Sequence, residues 1–530
     1  MRTWTRTEPS AVVPTGPLPA LSRWAAAGAG VAAVGAGVAA AHLLAALTRP
    51  ASSPLVAVGA AFIDLTPTWL KEFAVATFGT ADKTVLLATI SVLLLAAAAL
   101  VGLLATWRRR TAVVLAAALG AVPAVAALSR PGASPADTLP SLAGAAIAAA
   151  SLAWLTRPRR TPLRDDPSGV GDAPTPGRRS VLAGVLGLAG AALLVGGLGE
   201  VVGRRRSDVG AARAAVRLPA PVDPERPLPA GVDVGVPGVT PFRVPNADFY
   251  RVDTALVVPT LDPGSWSLEV DGMVERPFTI SFDELLAMPM IERDLTLTCV
   301  SNEVGGPYAG NARWLGVRLT DLLSRAGVRP GSDMLLSRSS DGFTASTPMA
   351  AATDGRDAIV AVGMNGEPLP AEHGFPARLV VPGLYGFVSA TKWLTGLTAT
   401  TYAADQAYWT KRGWATDAPV RTMARIDVPR PLSTVPAGRV AVAGVCWAQH
   451  RGIDGVEVQV DDGDWRPARL GAVPSDDTWR QWAIAWDATP GRHTLRARAT
   501  DATGTTQPQA RLTPFPSGAQ GWHEIVVTVS

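Results

Sequence analysis

The chain of 530 residues holds only two cysteines, Cys299 and Cys446. One of them stands where a thiolate could do chemistry. Cys299 closes a strand-like run, Asp-Leu-Thr-Leu-Thr-Cys, and opens onto a Gly-rich polar stretch beginning Val-Ser-Asn-Glu-Val-Gly-Gly. A side chain at a strand end above such a loop can face a cleft. A thiolate there is a soft, strongly donating ligand suited to a high-valent metal. Taken alone, a single cysteine reads equally as a small core residue, and a disulfide between Cys299 and Cys446 stays open. No CxxC, CxxCH or paired Cys/His cluster is present. That argues against iron–sulfur, c-type haem and structural zinc sites.

The elements that must position Cys299 lie in the second half of the chain. Residues 207–242 are rich in Pro, Val and Gly and read as an extended linker. Residues 243–430 mix strands with short helices. Trp266–Val274 alternates like a strand. Ser281 with Glu284 forms a capping box before Asp-Glu-Leu-Leu, and a second helix is capped near Thr320 and stops at Gly327. The run Ala377–Val381 reads as a buried strand leading into a Gly-rich turn. This is an α+β domain. Residues 431–530 carry alternating runs only, separated by turn residues, with Trp447, Trp465, Trp482 and Trp486 as core-sized aromatics. They read as an all-β, immunoglobulin-like sandwich.

The first half, 1–206, is of another kind. The whole chain is 48% hydrophobic and 17% charged, with positive mean hydropathy, as expected for a membrane portion fused to a soluble one. Five apolar stretches are long enough to span a bilayer, near Trp24–Leu47, Thr84–Thr106, Thr111–Leu128, Leu139–Leu155 and Val181–Val202. Arginines 2, 6, 23, 108–110, 157, 159, 160, 164, 178 and 179 fall on one side of these spans. Only Arg49, Lys71, Lys83 and Arg130 fall on the other. The positive-inside rule then puts the N-terminus in the cytoplasm and everything after the fifth span outside it. Arg204–Arg206 run against the rule. Gly177-Arg178-Arg179-Ser180 before a Gly/Ala-rich span resembles a twin-arginine export signal, which would account for the exception. Between the first two spans, Thr66–Gly79 reads as a short interfacial helix. The spans hold one histidine, His42, which gives no case for a membrane haem. The net charge of +4 sits in clusters beside apolar segments, a topology signal and not a nucleic-acid surface.

Four segments in order carry a family resemblance. They are the stretch from Pro245 to Gly272, Thr296–Asn302 followed by Ala312–Leu323, the stretch from Met364 to Leu394, and the stretch from Gly444 to Trp465. Together they resemble the sulfite oxidase-type molybdopterin-dependent oxidoreductases, over about Pro245–Ser530. The resemblance implies a molybdenum–molybdopterin cofactor whose metal is bound by Cys299. Positions matching its contacts are Asn246, Tyr250, Arg251, Thr347, His373, Arg378, Ser389, Thr391 and Lys392. The types suit the ligand. A terminal phosphate wants Arg or Lys and backbone N–H groups, and a pterin offers donors and acceptors to Asn, His and Thr. Arg251 and Arg451 match two of the arginines that surround the substrate. The arginine expected five residues after the cysteine is Val304, beside Glu303, and the active-site tyrosine is Val362. A dianion such as sulfite would bind weakly in such a pocket, which suits a neutral S-oxide better.

The expectation is a multi-pass protein of the cell membrane with an extracytoplasmic catalytic domain. It would transfer an oxygen atom to or from a small sulfur or other heteroatom substrate. Its electron partner would be separate, a cytochrome or a quinone-linked protein, and the C-terminal sandwich could form a homodimer. The alternative is an extracytoplasmic binding module that keeps the fold without the metal.

Overall fold

The computed structural model describes residues 22–67, 81–130, 133–157, 176–207 and 209–530, with a few more between 70 and 78. Residues 176–181 and 204–207 are described by their backbone alone. Two compact units result, Met1–Arg206 and Ser207–Ser530.

The first unit contains five helices long and apolar enough to cross a membrane: Arg23–Leu47, Asp82–Leu104, Arg109–Leu128, Pro135–Leu155 and Leu182–Gly203. Small residues set how they pack. A Cβ at Gly30 would lie 2.1 Å from the Ala98 carbonyl, and one at Gly102 would lie 2.1 Å from the Ala26 carbonyl. The first two spans therefore cross in backbone contact, which larger side chains would prevent. The third span is broken between Ala118 and Ala121. Pro123 supplies the reason, because its ring clashes with the carbonyl four residues back, that of Leu119. Ion pairs Arg49–Asp137 (2.9 Å) and Arg130–Asp64 (2.5 Å) join the loops at one end of the bundle. Between the first two spans, Pro54–Leu65 forms a helix, upstream of the expected one. Half of the Thr66–Gly79 stretch lies outside the described residues, and within the rest Leu70, Phe73, Ala74, Thr77 and Phe78 are helical. Arg2, Arg6, Arg159, Arg160 and Arg164, and the side chains of Arg178, Arg179 and Arg204–Arg206, also lie outside the described residues.

In the second unit two sheets surround one apolar core. The first runs Met290–Thr298, Ala309–Arg318, Ile359–Met364 and Glu367–Pro368, with Arg378–Val380 also paired to Ile359–Met364. The second runs Phe278–Ser281, Ser267–Gly272, Leu394–Thr400, Met334–Ser339 and Thr344–Pro348. Its Ser267–Gly272 and Leu394–Thr400 strands are parallel. Ser281 caps Phe282–Leu286 in a full capping box with Glu284. The second helix begins at Leu319, not at Thr320. Its N-cap is Arg318, whose side chain makes no capping bond, and Gly327 in the left-handed conformation ends it. Arg318 instead pairs with Asp223 and Asp357, so tertiary ion pairing displaces the local cap.

Residues 207–242 lie packed along this unit. Val222 N–H donates to the Met290 carbonyl and Glu292 N–H to that of Asp223. Arg293 pairs with Asp223 and Asp357. Val232, Val234 and Phe242 are buried.

The C-terminal strands form two further sheets. One contains Met423–Val428, Gly438–Trp447, Arg480–Ala488 and Arg469–Leu470. The other contains Thr434–Val435, His523–Val529, Gly491–Asp501, Ile453–Val460 and Arg466–Pro467. They enclose a separate core that includes Trp482 and Trp486. The other two tryptophans differ from expectation. Alternation along Gly438–Trp447 sends Cys446 into that core and Trp447 into the neighbouring one. Trp465 follows a turn and stays half-buried, edge-on to Trp522 at 4.8 Å with the Arg498 guanidinium 4.2 Å from its ring. Both cysteines are free, which closes the disulfide alternative.

Candidate active site

Cys299 comes one residue after the strand Met290–Thr298. Its N–H donates to the Tyr308 carbonyl at 2.9 Å, so the last rung of the hairpin fixes where the thiol stands. Ser301 N–H points back at Sγ at 3.4 Å. Burial pushes the Cys299 thiol up, while the Ser301 N–H and the Lys392 ammonium pull it down. A thiol so placed stays protonated unless a stronger positive charge arrives, and a bound metal ion supplies that charge. Among the described residues no group of three or more His, Cys, Asp or Glu could hold a metal. A metal at Cys299 would therefore draw its remaining ligands from elsewhere, as a dithiolene cofactor provides.

Lys392 and Tyr250 act electrostatically on the thiol, and Arg378 and His373 act on that pair in turn. Tyr250 is half-buried, stacked on Phe249 at 5.1 Å and 6.4 Å from Tyr308. Burial and the neighbouring Cys299 both push its hydroxyl up, and Arg378 pulls it down. His373 is 2% exposed. Its Nε2 faces the Asn246 carbonyl at 3.0 Å. A carbonyl only accepts, so Nε2 carries the proton. Burial and then Arg378 lower the His373 pKa to about 4, so the ring is neutral at pH 7. Asn246 is held by Asn365, whose Nδ2 donates to Oδ1 at 2.8 Å.

Arg378 starts the short strand Arg378–Val380 and is 5% exposed. Its Nη1 donates to the His373 carbonyl at 3.1 Å and Nη2 to that of Ala390 at 3.4 Å. The guanidinium carbon lies 5.0 Å from the Trp314 ring. Among the described residues it has no carboxylate partner, and its buried Nε has no partner at all. Burial lowers its pKa to about 10. A buried cation satisfied only by two carbonyls is costly unless an anion joins it, so this orphaned guanidinium fits a phosphate-bearing ligand. Lys392 donates to Asp253 at 2.7 Å and to the Glu372 carbonyl at 3.0 Å. Burial brings its pKa to about 8, against the pull of Asp253. Arg251 is exposed and shares the same Asp253 oxygen at 2.8 Å.

Other expected contacts are used by the scaffold. Thr347 donates to the Val388 carbonyl (2.6 Å), Ser389 to those of Leu384 and Tyr385 (3.0 Å each), and Thr391 meets Ser337 (2.7 Å). These hydroxyls lock the segment that carries Arg378 and Lys392. Arg451 pairs with Asp501 at 3.1 Å and donates to the Val420 carbonyl at 2.9 Å and Thr422 at 3.1 Å. Val304 and Val362 are buried, and Glu303 is exposed. Three participants escaped the sequence reading. Asp253 links Arg251 to Lys392, and its place two residues after Arg251 was a usable signal. Gln449, fully buried, donates to Thr298 Oγ1 at 2.9 Å and so steadies the cysteine strand from the C-terminal sheets. Tyr385 is buried within electrostatic range of Cys299.

Comparison with known proteins identifies the family. A family model described as an oxidoreductase molybdopterin binding domain matches residues 255–409. Mitochondrial sulfite oxidase of Homo sapiens is 30% identical over 347 residues, covering 54% of this chain and 62% of that protein. The uncharacterized oxidoreductase YuiH of Bacillus subtilis (strain 168) is 34% identical over 153 residues, 29% of this chain and 74% of that protein. The sulfane dehydrogenase SoxCD structure from Paracoccus pantotrophus aligns with a TM-score of 0.46 and 26% identity, over 52% of this chain and 76% of that one. The chain belongs to the sulfite oxidase-type molybdopterin-dependent oxidoreductase family. It spans a little under two thirds, 62%, of the human relative's length.

Proposed function

We propose that this protein is a membrane-anchored molybdenum oxidoreductase that moves an oxygen atom to or from a small sulfur or other heteroatom substrate outside the cytoplasm. The observation that carries the reading is the buried guanidinium of Arg378, which among the described residues has no carboxylate partner, in the unit where Cys299 stands at a strand end. The cofactor, when bound, supplies a metal that changes by two electrons as the oxygen moves. The chain's own residues do the rest. Cys299 holds the metal. Arg378, with Lys392 behind it, answers the phosphate. Neutral His373 and Asn246 offer hydrogen bonds to a pterin ring. Arg251 and Arg451 face the substrate with their charge already shared with Asp253 and Asp501. Charge so shared attracts a dianion less than free arginines would, and Val304 and Val362 add no cation or hydroxyl. A neutral S-oxide is therefore favoured over sulfite.

Five apolar helices support the anchoring, and the arginine-rich ends of the spans support a cytoplasmic N-terminus. Electrons pass to or from a separate carrier, a cytochrome or a quinone-linked protein. Metal analysis of the purified chain tests the reading. About one molybdenum per chain is expected, together with turnover of sulfite, S-oxides, N-oxides or nitrate with an artificial electron carrier. A metal-free protein from a cofactor-competent host would leave a binding module instead.

A further inference from the structure

The loop Cys299–Tyr308 joins the strands Met290–Thr298 and Ala309–Arg318. Its base is closed by the Cys299 N–H on the Tyr308 carbonyl at 2.9 Å. Asn302, 3% exposed, ties it from within. Its N–H turns back to the Cys299 carbonyl at 3.1 Å, and its Oδ1 accepts from Tyr308 N–H at 2.8 Å. Glu303 therefore follows directly on a residue bonded to the cysteine. It is exposed and is the only charged residue of the loop. Val304 next to it is buried in the apolar core of this unit.

The C-terminal sheets grip the same loop from outside. Arg425, in the strand Met423–Val428, is 8% exposed and donates from Nη1 to the Gly306 carbonyl at 3.1 Å. Its other donors are fixed, Nε on Asp427 at 2.7 Å and Nη2 on Thr240 Oγ1 at 2.8 Å. His523 begins the strand His523–Val529, and its Nδ1 accepts from Ile426 N–H at 2.9 Å. The other edge of the ring abuts Gly305, where a Cβ would lie 2.1 Å from Nε2. A Cβ on Gly306 would lie 2.7 Å from Asn302 Oδ1. Two adjacent glycines thus let an imidazole and a guanidinium close on the backbone of the loop that starts at Cys299.

We propose that Arg425 and His523 are positioning residues for substrate choice, fixing the Cys299–Tyr308 loop so that Val304 stays buried and Glu303 is the charge it presents to an incoming substrate. This deepens the function proposed above and rests on it. A carboxylate beside the cysteine turn repels a dianion and leaves a neutral S-oxide unaffected. Discrimination by repulsion needs the repelling group held in place, because a loop free to move would carry it aside. The restraint comes from the C-terminal sheets, so they act on specificity from behind the loop and need not touch the substrate.

The test uses the full chain, purified in detergent, and its variants Arg425→Lys, His523→Asn and Glu303→Gln. Lysine keeps a cation for Asp427 but cannot also reach Gly306. Asparagine keeps an acceptor for Ile426 N–H and removes the edge against Gly305. Molybdenum content and the thermal midpoint at pH 7 are expected to match the parent in all three. Hydrogen exchange of the 299–308 amides, read by mass spectrometry with and without cofactor, is expected to quicken about tenfold in Arg425→Lys and His523→Asn only. The ratio of kcat/KM for dimethyl sulfoxide to that for sulfite, each with an artificial electron carrier, is expected to fall about threefold to fivefold in all three, as for one exposed charge. Unchanged exchange in the first two variants, or an unchanged ratio in any of the three, overturns the role of Arg425 and His523 and leaves the molybdenum assignment standing. Loss of metal or a lowered midpoint in the first two makes them scaffold residues and also overturns the role. A parent chain without molybdenum or turnover overturns the underlying function and this role with it.

Discussion

Replacing Arg378 with methionine should leave stability almost unchanged without the cofactor and weaken the loaded protein. The guanidinium is 5% exposed and holds two carbonyl bonds, at 3.1 and 3.4 Å, with Nε unpartnered. Burial takes its pKa from 12.5 to about 10. At about 1.4 kcal/mol per pKa unit, keeping the charge inside costs the folded chain about 3 kcal/mol. The sign follows from the lowered value. Below about pH 10 the arginine is charged in both folded and unfolded chains and the cost is full. Above that pH the folded chain gives up the proton first and the cost fades. Methionine removes the cost and gives up two carbonyl bonds worth about 1 kcal/mol each. It also gives up a contact with the Trp314 face worth about 1 kcal/mol. The cofactor-free variant should therefore be within about 1 kcal/mol of the parent in either direction. With an anion in place the same change should cost about 2 to 5 kcal/mol of binding, since one partner of a buried charge pair is lost. The assay is urea unfolding of the full chain in detergent, followed by tryptophan fluorescence. Protein from a host that makes the cofactor is compared with protein from one that does not, and metal content is measured in both. A cofactor-free variant destabilised by several kcal/mol, or a loaded one that keeps its full metal content, would refute the reasoning.

Cys299→Ser should leave the fold near its original stability, because among the described residues the thiol makes only the 3.4 Å contact with Ser301 N–H, and should remove most of the molybdenum and activity. Full activity in this variant would rule out the ligand role. His373 and His523 are buried and neutral, each with a pKa near 4 set first by burial. The unfolded chain takes up their protons near pH 6.5 and the folded chain only near 4. Stability should thus fall by about 3 kcal/mol per histidine between those pH values and level off below. His523→Gln should flatten part of that slope in urea titrations at several pH values, and an unaltered slope would count against the account. A periplasmic-type reporter fused after Val202 should be active only when exported, and Arg178→Lys with Arg179→Lys should reduce that export. Activity confined to the cytoplasm would reverse the topology.

The sequence by itself determined the spans, because twenty apolar residues in a row have few other homes, and all five recur as helices. It also determined the domain types and the place of Cys299, since strand alternation and the Gly-rich stretch after it are local signals. The capping box at Ser281 was legible for the same reason. What local pattern could not supply is which polar groups find partners. Thr347, Ser389 and Thr391 looked like ligand contacts, yet Thr347 and Thr391 are engaged with a carbonyl and a serine far along the chain, and Ser389 with carbonyls one turn back. Arg318 took the cap from Thr320 through ion pairs with Asp223 and Asp357. Trp447 left the sandwich core because its strand serves two cores. Arg378 owes its proposed role to an Nε that finds no partner among the described residues. Whether a buried guanidinium is satisfied depends on everything folded around it, so only the tertiary structure decided it.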